Sequence, residues 1–409
     1  MPRKPHARIV AAACLLALCL LRPPGAEAED NPFYYKITDV RRYFVWGWDL
    51  LPTGIDVIVG WNAPPLVAGT NTILEATVGG GYEGFGTFRA PDYTPNQPVS
   101  APEESADPNG NLEFNSPNFQ WQAGIRQGLL PNPVSANNLL EAFLYYRGRC
   151  DRYLNGRHYW GSNDAEIAAI EAVHQLWQAA YAGSDAYGIF GTSLFAGVAY
   201  DRLHFDRRAK TYDGAYAEGS FEISPYFASA PGASDFWRLN LTTKLYRTLY
   251  DARPQAEKNV FSIYAGNCFS LDYADARRQM PLYVMQSIGG TEPRKGLAKA
   301  VRGFEDYSWD TQLKIVNNLE VRFNLPVIHT IRDRDLLPGF LVYFDLGYGS
   351  RYWGDPLDTP GGFIGSTGIG VFIDLLDLVY SHIYCHLPVI GRRIDGAPVV
   401  LDLDIGLQF

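Results

Sequence analysis

The stretch Pro398-Val-Val-Leu-Asp-Leu-Asp-Ile-Gly-Leu-Gln-Phe409 places apolar side chains at every odd-numbered position and mostly polar residues between them. Because side chains alternate across a β-strand, this segment has one apolar face and one largely polar face. A strand with one face toward lipid and the other toward a polar interior is typical of a transmembrane β-barrel. The pattern predicts an all-β, antiparallel outer-membrane barrel, with Phe409 as the C-terminal signal of its last strand.

Three other segments show the same alternation. Residues 236–246 alternate leucines with polar residues such as Arg238 and Lys244. Residues 312–325 alternate apolar residues with three charged ones, and residues 379–387 carry two histidines on one face. Apolar residues outside and polar residues inside are the barrel pattern. Further strands are predicted near residues 54–62, 70–83, 117–127, 137–148, 192–204, 214–228, 258–270, 340–349 and 366–376, with additional candidates in 33–48, 82–92 and 281–288.

The N-terminal residues 1–28 have the pattern of a cleavable export signal. Basic residues precede an apolar run from Ile9 to Leu21, and small residues lead up to Ala28. The run of about 13 residues is shorter than the roughly 20 that a membrane-spanning helix needs. We therefore expect residues 29–409 to form one barrel domain in the outer membrane. Lipidation in the signal region is a minor alternative.

Composition limits the possible partners. The sequence has a formal net charge of −9 and no block of Lys or Arg beyond the signal region, so it offers no basic surface for nucleic acid. Its 26 Tyr and 9 Trp fit the aromatic girdles that barrels place at the membrane interfaces. Outer-membrane lipid is the partner that this composition predicts.

Residues that could bind a metal or act as nucleophiles are scattered. Cys150, Cys268 and Cys385 lie beyond the signal region and lack the spacing of a zinc site or a disulfide framework. His382 and His386 share a strand face without a carboxylate or thiol nearby in sequence, and we interpret them as lumen lining. The sequence contains no Gly-x-Ser-x-Gly, His-Glu-x-x-His or phosphate-loop motif. We expect no catalytic residues, no metal and no cofactor.

Two regions depart from the strand pattern. A capping box at residues 163–166 precedes apolar residues at helical spacing, which predicts a short loop helix at residues 164–182. Residues 91–118 are rich in Pro and Asn and are predicted to form an exposed loop.

Four motifs follow one another in the C-terminal part of the chain. They are Met280-Pro-Leu-Tyr-Val-Met-Gln-Ser-Ile-Gly-Gly290, Ala300-Val-Arg-Gly-Phe304, Asn318-Leu-Glu-Val-Arg-Phe323 and Tyr343-Phe-Asp-Leu-Gly347. Over residues 258–409 the sequence resembles the outer-membrane-protein-85 superfamily, also called bacterial surface antigens, which includes the barrels of outer-membrane assembly and two-partner secretion. The resemblance implies a barrel of 16 strands with a long extracellular loop that folds back into the lumen.

The resemblance also assigns roles to individual residues. It implies that Arg302, at the tip of the loop, meets two acidic residues of the inner wall, Glu320 and Asp345. Tyr343 replaces the usual Phe of the second wall motif. A buried guanidinium needs such partners, because an unpaired buried charge is costly. The remaining motif residues are Val301, Gly303 and Phe304 at the tip, and Pro281, Tyr283, Gly289 and Gly290 in the approach to it.

The functional expectations follow from the same resemblance. Its members that assemble or secrete proteins usually carry periplasmic POTRA domains, and here the barrel pattern begins too close to Ala28 to leave room for one. We expect a barrel without POTRA domains that helps insert or transport unfolded outer-membrane or secreted polypeptides, assisted by a periplasmic helper protein. The alternatives are a passive channel or structural surface antigen, and a soluble exported protein.

Overall fold

The computed structural model describes most of the chain from residue 33 to residue 407, and the structural statements below concern these residues. The described residues are 33–43, 51–89, 111–133, 137–152, 154–155, 188–206, 211–225, 227, 235–252, 261–276, 281–285, 287–291, 301–304, 312–326, 328–329, 335–352, 355–356, 362–375, 379–391 and 398–407.

The described residues form strands and one single-turn helix. The N-terminal strands are β1 (Phe33–Tyr43), β2 (Leu51–Ala63), β3 (Thr72–Arg89), β4 (Asn111–Pro131), β5 (Asn138–Arg152), β6 (Leu154–Asn155), β7 (Gly188–Asp201), β8 (His204–Asp206) and β9 (Thr211–Ser224). They are followed by β10 (Phe236–Asp251), β11 (Ser262–Ala276), α1 (Leu282–Met285), β12 (Leu313–Asn324), β13 (Ile328–His329), β14 (Asp335–Tyr352), β15 (Asp355–Pro356), β16 (Phe363–Leu375), β17 (Val379–Ile390) and β18 (Val400–Leu407).

The strands form one antiparallel sheet in which each long strand pairs with the long strands before and after it in sequence. Four of its eighteen strands, β6, β8, β13 and β15, are only two or three residues long. Cα atoms of β1 and β18, the first and last strands, come within 8 Å of each other. The all-β antiparallel fold is thus confirmed. Sixteen strands, and closure by a ladder between β1 and β18, stay predictions.

The sheet buries its polar face and exposes its apolar face. Along β10, Arg238 and Lys244 are 6% and 5% exposed, whereas Leu239 and Leu245 are 46% and 57% exposed. A globular protein in water has the opposite arrangement. The sheet therefore curls around a polar interior and presents leucine, isoleucine, valine and phenylalanine on its outside.

Exposed and half-buried aromatic residues form two rows on the outer face, one at each end of the strands. Near the β11–β12 loop, Phe221, Trp237 and Tyr273 lie in one row with successive ring centroids 6.5 and 5.3 Å apart. At the other end the row contains Tyr250, Phe261, Phe323 and Phe340. Tyr273 and Phe261 are separated by about 40 Å along β11, or about 30 Å along the barrel axis at the usual tilt of about 40°.

Some predicted elements differ from the observed ones. The candidate strand at residues 281–288 is wrong, because α1 occupies its centre. Residues 82–92 do not start a separate strand, since β3 continues to Arg89. The predicted loop at 91–118 is too long, because β4 begins at Asn111 and pairs there with Arg89. In that region the cross-strand ladder outweighs the turn preference of Pro and Asn.

Several predictions fall outside the described residues, namely the export signal at residues 1–28, the loop helix at residues 164–182 and Phe409. No described helix is long and apolar enough to cross a membrane.

Candidate functional site

The tip of the loop between β11 and β12, residues 301–304, lies inside the barrel. All four residues are buried, and Val301, Arg302 and Phe304 are at most 3% exposed. A tight turn closes between the carbonyl of Val301 and the N–H of Phe304 (3.0 Å). The loop therefore folds back against the inner wall, and its tip is removed from solvent.

Arg302 is paired with two carboxylates of the wall. Its Nε and Nη2 donate to the two oxygens of Asp345 on β14 over 2.7 and 2.9 Å, which makes a bidentate ion pair. Its Nη1 donates to Glu320 Oε2 on β12 over 2.7 Å. The N–H of Arg302 adds a further hydrogen bond to Asp345 Oδ2 (3.1 Å). We call these three residues the tip site.

Tyr343 and Ser366 complete the surroundings of the arginine. The guanidinium carbon lies 3.7 Å from the ring centroid of Tyr343, within range of a cation–π interaction. The Ser366 hydroxyl donates to the Arg302 carbonyl over 2.6 Å. Ser366 thus binds the carbonyl of Arg302, Asp345 and Glu320 bind its charge, and Tyr343 contacts its planar face.

Gly303 is required by both backbone conformation and space. Its φ of +82° favours glycine, and a Cβ at this position would lie 2.8 Å from the Cβ of His386 on β17. His386 in turn accepts from or donates to the Tyr343 hydroxyl through Nδ1. His386 therefore supports both the tip and the tyrosine beneath Arg302.

Apolar contacts flank the ion pairs. Val301 and Phe304 pack with Val316 of β12 and Ile364 of β16, and Ile288 of the approach joins this cluster. Small apolar residues on the inner wall are unusual for a polar lumen. They occur here because the tip covers them.

Burial disfavours the charged form of Arg302. The hydrogen bonds and negative charges of Asp345 and Glu320 outweigh this effect and raise the pKa of Arg302 above its ordinary value. The guanidinium is therefore charged at every physiological pH. Its removal would leave Asp345, which is 0% exposed, as a buried carboxylate without its main partner.

The approach to the tip consists of residues 281–291. Its four motif residues, Pro281, Tyr283, Gly289 and Gly290, lie near the rim of the barrel. Pro281 and Gly289 are buried, Gly290 is half-buried, and the Gly289 N–H donates to Asp272 Oδ1 on β11 over 3.0 Å. The ring of Tyr283 lies 4.8 Å from the guanidinium carbon of Arg149 on β5. The approach thus reaches from β11 toward the wall formed by β5.

Sequence reasoning missed several residues of this region. Asp272 and Glu218 bind the approach, and His386 supports the tip, but none of them stands in a recognisable motif. The alternation of β11 and β9 places Asp272 and Glu218 on the inner face, which is the only signal in the sequence that could have found them.

The histidines and cysteines form no metal site among the described residues. No group of three or more His, Cys, Asp or Glu that could hold a metal occurs there. His382 lies 3.2 Å from Asp374 and 2.8 Å from the Tyr384 hydroxyl, within the wall of β16 and β17. Cys268 is buried and Cys150 is exposed.

No protein-family model matches the sequence, and no curated protein matches it. Solved structures do match. One is BamA from Haemophilus ducreyi lacking POTRA domains 1-3, with 12% identity and a TM-score of 0.45, covering 87% of this chain and 62% of that chain. Another is CdiB from Acinetobacter baumannii, with 12% identity and a TM-score of 0.43, covering 87% of this chain and 50% of that chain.

This chain therefore spans less than two thirds of the length of either structure. At this identity and TM-score the two matches carry no inference about activity.

Proposed function

We propose that this protein is an outer-membrane β-barrel that assists the insertion or transport of polypeptides, with a lumen that the β11–β12 loop closes at rest. The observation that carries the proposal is the tip site, in which Arg302 is bound by Asp345 and Glu320 inside the barrel. The partners are outer-membrane lipid and unfolded polypeptides.

The outer face of the sheet supports a membrane location. Its exposed leucines and valines would be unfavourable in water at about 25 cal/mol per Å² of apolar surface. The two aromatic rows lie about 30 Å apart along the axis, which is the thickness of a bilayer's hydrocarbon core. Lipid between the rows would cover the apolar belt, and the aromatic rings would lie at its two interfaces.

The chemistry of the tip site supports a loop that can be released. Release of the tip would expose the apolar cluster around Val301 and Phe304, whereas its separated ionic groups would regain water. Buried ion pairs also cost desolvation free energy that apolar packing avoids. Ionic contacts in a polar lumen therefore suit a closure that must open, and an opened lumen could admit an extended chain.

We propose that a second protein, in the periplasm, delivers the unfolded polypeptides to the barrel. The described residues form the barrel and its inward loop, with no separate folded domain among them. In this proposal, a helper protein brings the unfolded polypeptide to the periplasmic mouth of the barrel.

Depletion of the protein in its own host tests the proposed function. We expect the amounts of outer-membrane or secreted proteins to fall, and we expect recovery with the wild-type gene and with the control Leu319→Ala. Leu319 is exposed on the outer face of β12, directly before Glu320. Arg302→Ala should fail to restore normal levels. Unchanged levels after complete depletion would contradict the proposal.

A passive channel is the second candidate. Positive and negative side chains line the inner wall as ion pairs, such as Arg149 with Asp151 (2.7 Å) and Arg147 with Glu222 (3.8 Å). A lining with charges of both signs suits the passage of small ions. Higher conductance of Arg302→Ala in planar bilayers, without any change in polypeptide levels after depletion, would favour this candidate. Carbonate extraction and heat-modifiable gel migration test the membrane barrel common to both.

A further inference from the structure

A second charged cluster lies on the wall near the β11–β12 loop, and we call it the wall triad. Arg238 of β10 forms a bidentate ion pair with Asp272 of β11 over 2.8 and 3.0 Å. Lys314 of β12 lies 3.1 Å from the same carboxylate. The three side chains are at most 6% exposed. Two cations share one anion, so the triad retains donors that need further acceptors.

The approach segment, residues 281–291, supplies these acceptors mainly from its main chain. The lysine of the triad donates to the carbonyl oxygens of Val284 (2.8 Å) and Ser287 (2.6 Å). The arginine also donates to the Ser287 carbonyl, and more weakly to its hydroxyl (3.2 Å). The Gly289 N–H returns a hydrogen bond to the aspartate (3.0 Å). The triad therefore binds a turn of peptide backbone.

Further contacts hold the same segment. The Thr291 N–H and hydroxyl both donate to Glu218 of β9. The side chain of Val284 is 0% exposed and packs on Phe236 and Ala274. The approach segment thus has polar and apolar contacts of its own with the wall.

These contacts are separate from the ion pairs of the tip site. On β12, Lys314 lies six residues from Glu320 and four residues from Asn318, the cross-strand partner of Asp345, which corresponds to about 20 Å and about 13 Å along the strand. None of the ion pairs described for the wall triad involves a residue of the tip site. Ile288 is the approach residue that contacts the apolar cluster of the tip.

We propose that Arg238, Asp272 and Lys314 form a main-chain binding site that holds the approach segment independently of Arg302, so that the loop leaves the wall in two steps. This inference rests on the proposed closure of the lumen by the loop. Release of the tip alone would leave the approach segment bound near the rim, and the lumen would open fully only when both contacts are broken.

Gly289→Ala breaks the second contact from the loop side. A Cβ there would lie 2.8 Å from Asp272 Oδ1 and 2.9 Å from Arg238 Nε, so either the segment or these two wall side chains must shift, and either shift disturbs the contact. The wall triad keeps all three of its charges, which avoids an unpaired buried ion. The matched control is Ser287→Ala, which removes a hydroxyl and retains the carbonyl that the triad binds.

Hydrogen exchange of the purified full-length protein, followed by mass spectrometry, tests the independence of the two contacts. In Arg302→Ala we expect exchange of residues 301–304 to rise about tenfold or more while that of residues 281–291 stays within about twofold of wild type. In Gly289→Ala the pattern should be reversed, and Ser287→Ala should resemble wild type.

Equal acceleration of both segments in Arg302→Ala would overturn the proposal, because the loop would then leave as one unit. Unchanged exchange of residues 281–291 in a folded Gly289→Ala would overturn it as well. If Gly289→Ala does not fold into a heat-modifiable barrel, hydrogen exchange of Arg302→Ala by itself tests the proposal. Since no client polypeptide is needed, failure here is distinguishable from failure of the proposed transport function.

Discussion

The two contacts between the inward loop and the barrel wall distribute their charges in opposite ways. At the tip, the loop contributes the cation of Arg302 and the wall contributes the carboxylates of Asp345 and Glu320. At the approach, the wall contributes cations and anion alike, and the loop contributes main-chain groups. One contact therefore depends on a loop side chain and the other on the path of the loop backbone.

This difference determines how each contact can be broken. A substitution of Arg302 removes the tip contact from the loop. A substitution in the wall triad would also break ion pairs that join neighbouring strands of the wall, which endangers the sheet itself. The approach contact is therefore best broken by steric displacement of the backbone, as with Gly289→Ala.

The largest effect is expected for Arg302→Ala. Removal of one partner from a buried ion pair costs about 3–5 kcal/mol, so the temperature at which the folded gel band converts to the unfolded one should fall clearly. Arg302→Lys should be intermediate, because lysine keeps the charge but cannot form the bidentate pair. A conversion temperature of Arg302→Ala equal to that of wild type would show that the tip site does not stabilise the fold.

The two acidic partners should differ in importance. Asp345→Asn affects a side chain that is 0% exposed and accepts three hydrogen bonds from Arg302, and we expect a loss of about 1.5–3 kcal/mol. Glu320 is 14% exposed and accepts one, so Glu320→Gln should cost less. Denaturant unfolding of both variants in the same detergent measures their free energies of unfolding. A larger loss for Glu320→Gln than for Asp345→Asn would contradict the observed contacts.

Gly303→Ala should loosen the tip while all ion-pairing groups remain. Its φ of +82° costs an alanine about 1–2 kcal/mol, and the contact with His386 adds to this. Hydrogen exchange of residues 301–304 should accelerate, with residues 281–291 unchanged. An unaffected tip would mean that the backbone there adapts without strain.

The smallest effect is expected for Tyr343→Phe. The ring stays over Arg302, and only the hydroxyl that contacts His386 is lost, which typically costs about 1 kcal/mol. Thermal conversion on gels should shift by a few degrees at most, and exchange at the tip should stay near wild type. Loss of the tip contact in this variant would assign the hydroxyl a larger role than the ring.

The sequence predicted the strands and their faces well, because alternation is a local pattern that each strand repeats. The inward direction of Arg238, Lys244 and Lys314 follows from it directly. The helical turn α1 was missed, since a short apolar run fits a strand and a helix equally well. The long start of β4 was missed because its pairing with β3 cannot be read from Pro and Asn content.

The sequence by itself determined the all-β class and the polar interior, because these depend on alternation at fixed spacing, and the family resemblance of its motifs implied the residues of the tip site. Only the tertiary structure showed where the approach segment of the loop contacts the wall. The wall triad joins Arg238, Asp272 and Lys314 from three neighbouring strands, and it binds carbonyl and N–H groups that every residue type carries. A contact made by the main chain leaves no side-chain pattern, and therefore it becomes visible only in three dimensions.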